Sequence, residues 1–219
     1  MIRLTGKAGP MRPLPGLLGP AFWTLPIALG LWFLTFAVSA GNFWVKLCFS
    51  ASILAAMALT LSRGEWKSLF GLKRRHLWIG LVSALVLHGI FWLGNEVSSI
   101  LFPFASKEIS SIYLNKAQLP PAVIGLLLVF VMGPAEEIYW HGFIQRTFSH
   151  RLGAAAGVLL TTTIYAVVHV VALNFMLFVA AGVCGLFWGV LYQREQSLVP
   201  VIISHSVWDL MIFVLFPLG

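Results

Sequence analysis

Seven stretches of this chain stay apolar for about as long as a bilayer is thick. They run over residues 21–40, 43–62, 77–94, 121–140, 153–173, 175–192 and 198–216. A helix needs roughly 20 such residues to span. The third and sixth stretches are short. The fourth has no firm C-terminal end, because it can run on through an acidic pair. Of the 219 residues, 59% are hydrophobic and only 10% charged, against about 25% charged in soluble domains. A water-soluble core of this length could not hide so much apolar surface. The expected fold is all-α, a polytopic transmembrane bundle of about seven spans. Residues 1–20 are expected to form a cytoplasmic tail and 21–219 one membrane-embedded domain.

The net charge of +7 would suit a nucleic-acid partner if the bases formed a patch. They lie instead in short connectors between apolar runs, so no nucleic acid is expected and membrane topology explains them. Alternating the seven spans places eleven bases on one side: Arg3, Lys7, Arg12, Arg63, Lys67, Lys73, Arg74, Arg75, Arg146, Arg151 and Arg194. The other side receives three, Lys46, Lys107 and Lys116. The base-rich side is expected in the cytoplasm, with the N-terminus. The segment 1–20 resembles the start of a signal peptide, but the run behind it is long and lacks a clear small-x-small cleavage site, so a retained first span is expected.

Two connectors exceed simple turns. Residues 63–76 mix bases with Trp66, Leu69, Phe70 and Leu72 and read as an interfacial amphipathic helix. Residues 95–119 lie on the membrane surface or dip back into it. Cys48 and Cys184 are far apart in apolar runs and read as small core residues rather than a disulfide. No internal repeat is visible.

Only seven acidic residues occur, and three of them fall in or beside apolar runs: Glu136, Glu137 and Asp209. An ionisable group at such depth points to function by default. Glu137 and His141 are four apart and share a helix face, while Glu136 points about 100° away. Adjacent carboxylates repel, and a proton or a partner on one of them relieves it. Tyr165 and His169 form a second four-residue pair, and His205 and Asp209 a third. Each pair alone has a bland reading: a solvated helix end, a satisfied core histidine, an internal hydrogen bond. His88 reads as structural or pathway-lining, and His76 and His150 as solvated connector residues. If the three spans pack together, Glu136, His169, His205 and Asp209 converge. That set supplies a general base, a donor for an oxyanion and possible metal ligands. A nucleophilic Ser or Cys with an adjacent base is missing, so hydrolysis by activated water suits it best.

The three pairs resemble the motifs of the membrane-embedded CAAX-protease and bacteriocin-processing (Abi) family. Its pattern is Glu-Glu-x-x-x-Arg, then Phe-x-x-x-His, then His-x-x-x-Asn or Asp. Here the first reads Glu136-Glu137-Ile138-Tyr139-Trp140-His141, the second begins at Tyr165 and ends at His169, and the third runs from His205 to Asp209. The motif-bearing region is about 121–216. The resemblance implies a glutamate-dependent intramembrane endopeptidase. Glu136, helped by His169, would activate water, and His205 and Asp209 would stabilise the oxyanion. Glu137 with His141 would hold the other groups in place. The family's Arg is His141 in this chain, whose charge would depend on pH, and Tyr165 replaces Phe. Substrates implied are membrane-anchored proteins or peptides, prenylated or carrying a sorting tag, and the setting is a bacterial or archaeal cell membrane. No cofactor is expected. A Zn²⁺ version held by Glu136, His169, His205 and Asp209 stays open, as do a non-catalytic peptide-binding or immunity role and a proton-coupled transporter.

Overall fold

The computed structural model describes residues 16, 18–62 and 66–218. Among them there are helices, turns and irregular segments but no strand. Seven helices among the described residues are long and apolar enough to cross a membrane. They are α1 (Leu18–Phe36), α2 (Phe43–Leu61), α4 (Arg74–Leu101), α6 (Pro121–Leu152), α7 (Ala154–Ala172), α8 (Phe175–Glu195) and α9 (Leu198–Leu215). Two short helices lie between them, α3 (Trp66–Leu69) and α5 (Ala105–Tyr113). Helices are the expected solution, because lipid leaves each backbone polar group to be satisfied within its own segment. Large apolar side chains face outward, among them Trp23, Trp78, Val82, Leu85 and Phe130. This is the distribution of a chain whose solvent is lipid.

The expected tail at 1–20 falls mostly outside the described residues, and residues 18–20 already belong to α1. The third span is not short. It has 28 residues and continues through Asn95 and Glu96. It stops where Phe102 turns extended (φ −126°, ψ 111°), because the proline at 103 disfavours helix in the residue before it. The sixth span also reaches 21 residues. The fourth runs on through the acidic pair to Leu152, 32 residues in all.

The connectors are set by local chemistry. Gly153 turns α6 into α7 with φ +90°, which a glycine tolerates without strain. Asn42, Asn174 and Ser197 cap α2, α8 and α9, each side chain accepting a backbone N–H in the first turn. The expected amphipathic helix at 63–76 is corrected. Residues 63–65 lie outside the described residues, residues 66–69 form the four-residue α3, residues 70–73 are non-helical, and residues 74–76 already begin α4. The segment packs against the end of the bundle. Leu69 is buried, and Ser197 Oγ donates to the Gly71 carbonyl at 2.9 Å. His76 is likewise buried rather than solvated, with Nε2 3.4 Å from Glu195 Oε2 at the end of α8. His150 is exposed, as expected.

The segment after α4 carries α5, which docks onto the start of α8. Glu108 Oε2 accepts the Met176 N–H at 2.9 Å, and Asn174 Nδ2 donates to the Glu108 carbonyl at 2.9 Å. A carboxylate at a helix N-terminus is favoured by the helix dipole.

Helix α6 is central and touches α2, α7 and α9, while α9 also lies along α4 and α8 packs on α7. The crossing of α6 and α9 depends on Gly133. A side chain there would meet Ser206 Oγ and come within 3.1 Å of Ser206 Cα. Small residues let helix backbones approach closely in lipid. Cys184 is buried and Cys48 half-buried, and both are free thiols.

Candidate active site

Glu136 and Glu137 sit on an α-helical stretch, Gly133–Tyr139, between two π turns at Leu128–Met132 and Trp140–Gln145. Such turns insert an extra residue into the helix and are frequent at functional sites. The first leaves the Val129 carbonyl to accept Ser206 Oγ at 3.1 Å, which ties α6 to α9 beside the acids.

The two acids have separate surroundings. Glu137 is 1% exposed and bridges two histidines. His141 Nδ1 donates to its Oε2 at 2.6 Å, and His205 Nδ1 donates to its Oε1 at 2.7 Å. The histidine at the family's arginine position thus holds the second glutamate, one turn away. The two carboxylate oxygens that a single arginine fork could take together are here divided between two imidazoles. His205 is further fixed by Trp188, stacked on it with ring centroids 3.7 Å apart. Trp188 Nε1 donates to Ser204 Oγ at 3.2 Å. The other nitrogen of His205, Nε2, is 3.5 Å from Asp209 Oδ2.

Glu136 turns the other way. Its Oε2 accepts the Tyr165 hydroxyl at 2.6 Å, and Oε1 takes no hydrogen bond from a described residue. The replacement of Phe by Tyr therefore adds a buried contact to the first acid. Gly185 makes room for it, since a Cβ there would lie 3.1 Å from Tyr165 Cδ1.

His169 stands where α7 tightens into a 3₁₀ turn. Its backbone N–H bonds to Ala166, three residues back. The Tyr165 carbonyl instead accepts the imidazole Nδ1–H at 2.7 Å. Nε2 accepts the indole N–H of Trp32, on α1, at 3.1 Å. The two bonds fix one neutral tautomer, with the proton on Nδ1.

These side chains share one cavity of about 440 Å³. Glu136, Tyr165, His169, His205 and Asp209 line its inner part, together with Cys184 and Trp188. Glu137 and His141 stand behind this wall rather than on it. The three motif pairs are thus brought together, and the inner five are nearly buried. His88 lies off this cavity, against Phe216. Sequence reasoning missed Trp32 and Trp188, the aromatic partners of the two histidines. The contacts also bear on the donor set left open for Zn²⁺. His169 has both ring nitrogens engaged, and no three His, Cys, Asp or Glu side chains among the described residues group closely enough to hold a metal ion.

Fold and site together define a membrane-embedded helical bundle with a buried carboxylate–histidine cavity. Residues 118–211 match the family model described as Type II CAAX prenyl endopeptidase Rce1-like. This matched stretch carries all three motifs, in agreement with the resemblance they show. No curated protein and no solved structure gives a significant match.

Tyr165→Phe, which installs the residue of the family pattern, is expected to leave peptide cleavage within about tenfold of the parent, the scale of one net hydrogen bond. A rate assay with a membrane-tethered peptide checks this. Complete loss would make the Tyr165 hydroxyl essential rather than supporting.

Proposed function

We infer that the chain is an intramembrane endopeptidase that uses Glu136 to activate water against a peptide bond of a membrane-anchored protein. The observation that carries this is the Oε1 of Glu136, which takes no hydrogen bond among the described residues. It belongs to a carboxylate held rigid through its other oxygen and set in a cavity beside His169, His205 and Asp209. A general base needs an unoccupied lone pair at hydrogen-bonding distance from the attacking water. The water proton passes to Glu136 as its oxygen bonds to the scissile carbonyl carbon. The resulting oxyanion is met by His205 Nε2–H and by Asp209. A carboxylate only accepts, so Asp209 would donate to the oxyanion in its protonated form. Collapse of the intermediate breaks the C–N bond, and Glu136 returns its proton to the departing amine. Glu137 orients His205 through the Nδ1 bond, and His141 orients Glu137.

His169 supports this site from the tautomer fixed by the Tyr165 carbonyl and Trp32. To accept a proton from water it would first release the Trp32 N–H. The committed donors described above favour a metal-free reaction. The purified protein in proteoliposomes is expected to cleave a tethered peptide library, read by mass spectrometry, at an undiminished rate after dialysis against a chelator. Loss of cleavage on chelation, restored by Zn²⁺, would replace this mechanism with a metal-dependent one. Proton uptake without any cleavage would favour a transporter.

A further inference from the structure

We propose that the cavity is entered from the face of the membrane opposite the cytoplasm, and that its substrate is a peptide segment displayed on that face beside a membrane anchor. This rests on the proteolytic reading above and adds to it the side from which substrate arrives.

The cavity has a direction. Its inner wall carries Glu136, His169, His205 and Asp209, and its outer part is lined by Ser39, Gly41, Lys46, Asn115, Gln118 and Asn174. These outer residues belong to the α1–α2 turn, the start of α2, the segment between α5 and α6, and the α7–α8 turn. All of them sit at one end of the bundle. His169 and Asp209 are near that end too, while Glu136 lies midway along α6. His169 is three residues from the end of α7, about 5 Å of helix rise, and Asp209 six residues from the end of α9, about 9 Å.

The opposite end is closed. Leu69, Phe143 and Phe148 are buried there, as are Gln145 and Arg146. Gln145 Nε2 donates to the Gly189 carbonyl at 2.8 Å, and Arg146 Nη2 to Ser68 Oγ at 3.2 Å. Across the same end, Arg75 Nη2 donates to Glu195 Oε2 at 2.7 Å.

Charge then assigns the faces. The closed end holds Lys73, Arg74, Arg75, Arg151 and Arg194, and the sequence adds the bases before α1 and in the α2–α3 connector. The open end holds only Lys46, Lys107 and Lys116, accompanied by Glu108. One of these three is already engaged, with Lys46 Nζ donating to the Val38 carbonyl. Cytoplasmic connectors carry the excess of Lys and Arg, so the closed end is cytoplasmic and the mouth faces away from it. The mouth mixes uncharged polar side chains (Ser39, Asn115, Gln118, Asn174) with apolar ones (Val38, Phe43, Ile112), which suits an uncharged peptide segment better than a strongly charged one. A lipidated tail held on the cytoplasmic face would meet the closed end.

The test uses the full-length protein with Cys48→Ala and Cys184→Ala, expressed in a bacterial host. A single cysteine is placed at the mouth (Gln118→Cys) or at the closed end (Arg151→Cys). A membrane-impermeant maleimide is expected to label Gln118→Cys in intact cells and Arg151→Cys only in inside-out vesicles. The reverse pattern would overturn the proposal. In a second arm, two single-span reporters carry the same randomised juxtamembrane segment, one on each face. Cleavage of the outward-facing reporter alone supports the proposal, and cleavage of the cytoplasmic one alone overturns it. Labelling does not depend on activity. Outward labelling with neither reporter cut would therefore keep the direction of the cavity and reject proteolysis.

Discussion

Glu136→Gln is expected to slow cleavage of a membrane-tethered peptide by roughly 10²–10⁴-fold, the usual contribution of a positioned general base. The substitution keeps the size of the side chain and its ability to accept the Tyr165 hydroxyl. What it removes is the basic oxygen facing the cavity. Expression, insertion and thermal stability should stay close to those of the parent, because Glu136 makes no buried ion pair comparable to that of Glu137. Initial rates in proteoliposomes, with unfolding followed in detergent, separate these effects. Cleavage by Glu136→Gln at the parent rate would reassign the base.

Glu137→Leu should act on a different quantity. Glu137 is the common acceptor of His141 and His205, all three almost completely buried. Taking away one partner of a buried pair leaves polar groups stranded and costs about 3–5 kcal/mol. The variant is expected to unfold at a markedly lower temperature in detergent and to lose cleavage with it, since His205 is no longer held. His141→Leu removes one of the two contacts and should fall between the parent and Glu137→Leu. In a double-mutant cycle, the effects of Glu137→Leu and His141→Leu should be strongly non-additive. Parent-like stability in Glu137→Leu would show that the bridge contributes nothing.

Much of this site could be read from spacing. Pairs four residues apart share a helix face, and the structure pairs Glu137 with His141, Tyr165 with His169 and His205 with Asp209 within or beside hydrogen-bonding range. The divergence of Glu136 from Glu137, about 100° around the helix axis, was legible in the same way. What spacing could not give was contact between spans. The bond from His205 to Glu137 joins residues 68 apart in sequence, and that from Trp32 to His169 joins residues 137 apart. Tryptophans make the difficulty plain. Trp23 is largely exposed and Trp32 fully buried on the same helix. In lipid both faces of a span are apolar, so hydrophobicity carries little information about which face packs inward. Several span ends were legible, as in 43–62 against Phe43–Leu61 and 198–216 against Leu198–Leu215, but the end of α4 just before Pro103 was not. The polar residues Asn95, Glu96, Ser98 and Ser99 suggested an earlier end, but the helix continues through them.

The indole of Trp32 has one further consequence. It occupies the only lone pair of the His169 ring nitrogens, and it comes from α1, the first span, whereas the family match covers residues 118–211. The matched region therefore does not by itself supply every contact to the histidines of the cavity. Grafted onto other leading helices, it would keep every motif residue, and the Tyr165 carbonyl that holds the Nδ1 proton, yet lose the donor that occupies Nε2 of His169.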